Sequence, residues 1–112
     1  MQPKLKNAFK LEMLEAKAFY LSKNYEKSFY HLERAHILGQ RNYIPHVLNH
    51  WWMLKVGWKI RDFGEVFGQI LRILGSAGSL VGVVPIGNTG GADVSATKPM
   101  PIPDDLIQYF KE

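Results

Sequence analysis

Apolar side chains return every three or four residues through the first two thirds of the chain, the spacing of one face of a helix. The pattern predicts four helical stretches, at residues 5–22, 25–39, 45–60 and 63 to about 75. Their ends carry helix punctuation. Asn24 and Asp62 stand at N-cap positions, Asp62 with Glu65 has the spacing of a capping box, Pro45 suits a first turn, and Gly39 suits a stop. Beyond Gly75 the character changes to glycine, then to Gly87-Asn88-Thr89-Gly90-Gly91, then to Pro99-Met100-Pro101-Ile102-Pro103. Regular structure is expected to stop there, apart from a short helix over 106–110 started by Asp104 or Asp105. Its Leu106, Ile107, Tyr109 and Phe110 give the tail apolar surface for docking. Residues 1–84 are thus read as a helical domain, and 85–112 as a Gly/Pro-rich tail wrapped around it.

The two halves of the helical part look like copies at a spacing of 38 residues. Tyr20-x-x-x-Asn24-Tyr25-x-x-Ser28 aligns with Trp58-x-x-x-Asp62-Phe63-x-x-Val66, and Leu32 with Ile70. The first copy, through Ala16, Phe19, Asn24, Tyr25, Ser28, Leu32 and Ala35, resembles the helix-turn-helix pattern of tetratricopeptide repeats. Such solenoids need about three repeats to cover their faces. Two hairpins are therefore expected to close on each other as a compact, all-α four-helix domain, or to dimerise.

A chain of 112 residues that is 46% hydrophobic has material for one core. The absence of cysteine excludes disulfides, thiolate metal sites, iron–sulfur clusters and cysteine nucleophiles together. The formal charge of +4 comes from lysines and arginines scattered along the chain, so no phosphate-tracking stripe and no nucleic-acid partner are expected. Met1-Gln2-Pro3-Lys4-Leu5-Lys6 leads into a charged amphipathic pattern, not an apolar run, so no signal peptide is read there and the cytoplasm is the expected compartment. The most apolar stretch, 64–84, carries Glu65, Gln69, Arg72 and several glycines. That is poor material for a membrane span and reads instead as a buried helix with its exit loop.

Helical geometry, at about 100° per residue, sorts the polar side chains by face. On the third helix Lys55 and Lys59 mark the outside, and His46, His50, Met53 and Gly57 form the opposite stripe. On the second, Lys27 and Arg34 mark the outside, His36 points inward beside Tyr25, Phe29 and Leu32, and His31 falls on the solvated side. On the first, Lys6, Lys10 and Lys17 face out, and Glu12 sits opposite among Leu5, Ala8, Ala16 and Phe19 with Glu15 close by. Burying an unpaired carboxylate costs several kcal/mol, so each of these acids needs a cation, a hydrogen bond or a proton.

Three helices thus aim ligand-type groups at one interior: Glu12 and Glu15, His36 with Glu33, and His46 with His50. Imidazoles at i and i+4 can share an ion, and mixed imidazole and carboxylate ligation suits Zn, Fe, Mn or Cu. The Glu33-x-x-His36 pair occurs once, whereas dinuclear carboxylate bundles supply it twice, so one ion is expected. The expected ligands are His36, His46 and His50, with Glu15 or Glu12 as carboxylate and Glu33 orienting a histidine. A buried hydrogen-bonded network, with Glu12 paired to Arg72, Arg41 or a histidine, is the plainer alternative.

The run His31-Leu-Glu33-Arg-Ala-His36-Ile-Leu-Gly39-Gln40, with His46-x-x-x-His50-Trp51, Arg61-Asp62, Gly68-Gln69, Gly87-Asn88-Thr89-Gly90-Gly91 and Pro99-Met100-Pro101, resembles a bacterial family known only as domain of unknown function 3703. The resemblance spans roughly residues 16–106 and brings no established activity. It implies company with metal-resistance and metal-transport genes, and puts Glu33, His36, Gln40, His46 and His50 on family motif positions, leaving Glu12 to the facing argument alone. Gly87–Gly91 matches no phosphate-binding fingerprint and reads as a turn against the bundle. Hydrolase elbows and His-Glu-x-x-His are absent. The leading expectation is a metal-binding helical protein that senses, buffers or hands on a transition metal. Its rivals are a non-enzymatic tetratricopeptide-like module binding a protein partner or a second copy, and a small metalloenzyme.

Overall fold

A computed structural model describes residues 1–76, 85–95 and 97–110. Helix α1 runs over Pro3–Leu21, α2 over Tyr25–Gly39, α3 over Tyr43–Lys59, α4 over Phe63–Gly75 and α5 over Asp104–Ile107, followed by a 3-10 turn at Gln108–Phe110. No strand occurs among the described residues. The expected boundaries hold to within one or two residues. The expected exit loop up to Val84, and the boundary drawn there, fall outside the described residues. Among those described, no helix is long and apolar enough to cross a membrane.

The two helix hairpins turn alike. Lys23 and Arg61, 38 residues apart, both take left-handed backbone angles, at φ 64° and 57°. Each is followed by a capping residue whose amide donates to a carbonyl five residues back, Asn24 to Phe19 and Asp62 to Gly57. The Asn24 side chain then accepts from the Lys27 amide at 3.3 Å, and Asp62 from the Glu65 amide at 3.0 Å. The sequence repeat is therefore a repeat of local structure. The capping box at Asp62 is only half made, because the Glu65 carboxylate turns inward to accept from Gln69 and Ala92.

The core is built by α1 (Ala8, Phe9, Met13, Ala16), α2 (Leu32, Ala35, Ile37, Leu38) and α3 (Met53, Val56), with Leu106 of the tail inserted among them. Gly39 serves close packing, not a left-handed stop: the next residue, Gln40, stays right-handed, and a Cβ on Gly39 would lie 2.8 Å from the Phe9 ring. Two buried polar contacts tie the layers. Ser28 Oγ donates to the Ala16 carbonyl at 2.7 Å, and Asn49 Nδ2 to the Leu32 carbonyl at 2.8 Å.

Helix α4 departs from expectation. The apolar pattern predicts a buried helix, yet its buried residues are Gly68 and Gln69, while Phe63, Phe67, Ile70, Leu71 and Leu74 stay exposed. The reason is that its polar face is needed inside, as the centre described next shows. The tail does dock. Besides Leu106, Asp105 pairs with Arg34, and the Pro85 and Val94 carbonyls accept from Gln40 and Arg72, while bonds from Met100 N to the Ile86 carbonyl and from Asn88 Nδ2 to the carbonyls of Ser95 and Lys98 brace the tail internally.

Candidate metal centre

His36 on α2 and His46 and His50 on α3 converge through one atom each. Their Nε2 atoms form a triangle with edges of 3.2 Å (His36 to His46), 3.1 Å (His36 to His50) and 3.0 Å (His46 to His50). The i and i+4 spacing stacks the α3 pair one turn apart, and His36 meets it from the facing helix. His36 and His50 are almost fully buried, and His46 is half-buried.

The outer ring nitrogens of His36 and His50 are held by acceptors. His36 Nδ1 lies 2.6 Å from the Asn88 carbonyl oxygen, which can only accept, so the Nδ1 carries the proton. His50 Nδ1 lies 2.6 Å from Gln69 Oε1. The Gln69 amide cannot be reversed, since its Nε2 faces two acceptors, Glu65 Oε2 at 2.6 Å and the Gly90 carbonyl at 2.8 Å. His50 therefore also bears its proton on Nδ1. Both rings then turn bare Nε2 lone pairs toward each other across 3.1 Å. His46 Nδ1 is buried without a partner among the described residues, and one Nε2 proton from His46 could satisfy only one neighbour well.

Protonation does not relieve this crowding, because the site disfavours imidazolium. Burial lowers His36 well below the usual range, helped by His50 and His46. Burial takes His50 down to about 3, reinforced by His46, and His46 down to about 4. Three neutral imidazoles therefore converge on one point, and at least two of them, His36 and His50, present bare nitrogen lone pairs to it. These three residues form the group among the described residues whose donor atoms could hold a metal ion.

A second ring is acidic. Glu33, one turn before His36, is pushed up to about 7, first by burial and then by the charges of Asp93 and Glu65. The Thr89 hydroxyl beside it, which makes no regular hydrogen bond, lowers it slightly. Glu65 holds both Gln69 and the Ala92 amide at 2.9 Å. The strap of residues 88–93 thus links the histidines to three carboxylates. Gly90 is required there: its φ is +85°, and a Cβ would come 2.6 Å from His36 Cδ2.

The carboxylates expected as ligands lie elsewhere. Glu12 accepts from Arg34 Nε at 2.9 Å and pairs with His31 Nδ1 at 2.7 Å, a separate ion-pair cluster that also reaches Asp105. His31 is accordingly only partly solvated; it stacks on Phe19 at 5.6 Å and its side chain is 21% exposed. Glu15 is exposed on the outside of α1. Glu33 sits near the centre without contacting a histidine nitrogen. Sequence reasoning did not assign roles to Gln69 and Asn88, the residues that set the histidine tautomers. Gln69, in the Gly68-Gln69 motif and on one helical face with Glu65 and Arg72, was the available signal for the first; the second stands in the Gly87–Gly91 motif, but its acceptor is a backbone carbonyl, which residue type does not reveal.

Fold and site together define an all-helical domain carrying a buried three-histidine cluster held from behind by amide and carbonyl oxygens. The chain belongs to the family described as "Protein of unknown function (DUF3703)", matched over residues 3–110. No curated protein and no solved structure matches it.

Proposed function

We propose that the protein binds one divalent transition-metal ion through His36, His46 and His50, zinc being the best fit, and holds it for buffering or transfer. The supporting observation is the His36–His50 contact, where two unprotonated Nε2 atoms face each other at 3.1 Å. A shared cation removes that repulsion. Nitrogens about 2.0–2.1 Å from a common ion subtend edges close to those of this triangle. Neutral imidazole donors favour zinc, copper and their neighbours over magnesium or calcium, which take oxygen. Three protein donors leave a position of a four-coordinate ion for an exchangeable ligand, which suits release better than a closed four-residue site does. Glu65 and Asp93, joined by Glu33 when it gives up its proton, supply counter-charge nearby.

Metal analysis of tag-free protein tests this reading. One equivalent of zinc per chain is expected after loading, lost in His50→Gln and retained in His31→Gln. A chain that takes up none of zinc, copper, nickel or cobalt overturns it.

A tetratricopeptide-like interaction module is the second reading, favoured by the matched turns and by a groove of about 650 Å³ lined by Phe9, Met13, Leu14, Ile44 and Leu48. It predicts a metal-free chain whose melting temperature chelators leave unmoved.

A further inference from the structure

Helix α4 is amphipathic the wrong way round. Phe63, Phe67, Ile70, Leu71 and Leu74 follow the i, i+4, i+7, i+8, i+11 spacing of a single stripe, about 100° wide, and are 43–74% exposed. Trp58, 63% exposed, extends the stripe by packing its ring edge-on to Phe63 at 5.9 Å. The opposite face carries Glu65, Gln69 and Arg72, and these point into the molecule. Gln69 reaches His50, Glu65 takes the Ala92 amide, and Arg72 donates to the carbonyls of Gly68 at 3.0 Å and Val94 at 2.8 Å. The helix cannot rotate to bury its apolar stripe without dismantling these contacts.

We infer that the α4 stripe is the interface of a two-fold homodimer in which α4 packs against α4 of a second copy. Three considerations select a second copy. Each long helix packs chiefly on its chain neighbours, so α4 ends a stack of two hairpins, and an uncapped end exposes the face that a further hairpin would cover. A stripe of this kind is self-complementary under a two-fold axis, because apolar positions meet apolar positions in either chain. The six side chains expose an apolar area on the order of several hundred Å², approaching the roughly 800 Å² each partner brings to a standard interface. A bilayer is the weaker occupant. Surface-lying helices flank their apolar face with lysine and arginine, and the basic side chain of α4, Arg72, is turned inward and hydrogen-bonded.

Sedimentation velocity and light scattering on the full chain test this, comparing wild type with Phe67→Glu/Leu71→Glu. The wild type is expected at twice the chain mass. The double variant is expected at one chain mass, with dissociation at least about a hundredfold easier, unchanged far-UV circular dichroism and unchanged zinc uptake. Zinc uptake reads the histidine centre separately, so failure of the dimer and failure of the metal reading are distinguishable. If the double variant loses helicity, Leu74→Arg, at the most exposed position, repeats the comparison. A wild type that stays at one chain mass at all concentrations overturns the inference, as does a variant that associates as strongly as wild type. Binding of a monomeric wild type to phosphatidylcholine vesicles, lost in the variant, would assign the stripe to a bilayer instead.

Discussion

At the scale of the residue, the centre depends on groups that touch no metal. Gln69 connects His50, Glu65 and Gly90, and leucine in its place leaves the His50 Nδ1 proton without an acceptor. Gln69→Leu is expected to weaken zinc binding about 10- to 100-fold, read by competition with a chromogenic chelator. Gly90→Ala strains a left-handed position and drives a methyl into the His36 ring. Its expected cost is about 1–3 kcal/mol in denaturant unfolding, together with lost zinc affinity. The three histidines were legible in the sequence because helical spacing places them on apolar faces. For Glu12 the structure shows a different partner from the one expected, because facing identifies the side of a helix but not the partner. Arg34 and His31, each one side-chain length away on α2, claimed its carboxylate first.

At the scale of the element, boundaries were readable and orientations only partly so. Caps are local: Asn24 and Asp62 bond amides three residues ahead, and such signals survive without tertiary context. Asn24→Ala and Asp62→Ala are each expected to cost about 1 kcal/mol in chemical denaturation, the two being similar because the turns are built alike. Helix α4 was misread for a non-local reason. An apolar stripe ordinarily seeks the core, but here the interior place beside His50 and the strap requires an amide, a carboxylate and a guanidinium. The strap over 88–93 was visible only as a turn-rich stretch. Besides a local bond from the Gly90 amide to the Asn88 side chain, it is held by His36, Gln69 and Glu65, some twenty to fifty residues earlier in the chain, and no local signal encodes those contacts.

At the scale of the whole molecule, the proposed metal and the proton would compete for the same imidazole nitrogens. The histidines have lower pKa values folded than unfolded, where the ordinary value is 6.5. Their contribution to the stability of the metal-free protein is therefore full above about pH 6.5 and lost as pH falls toward 4 and 3. Glu33 runs the other way, favouring the fold below about 4.5 and losing that contribution as pH rises toward 7. With three groups set against one, stability of the metal-free chain is expected to fall on acidification between pH 6.5 and 4.5, followed by thermal melts across that range. Zinc at a thousandfold excess over its dissociation constant is expected to add about 4 kcal/mol of stability near neutrality, reversed by chelator.

The donor set also determines what kind of chemical stress the centre can survive. Thiolate sites open when peroxide converts their sulfur to sulfenic acid or a disulfide, and the ion escapes. An ion held as proposed, through imidazole nitrogens in a chain without cysteine, has no such release valve. It would stay put through an oxidative burst and leave when acid or a stronger chelating protein draws it out.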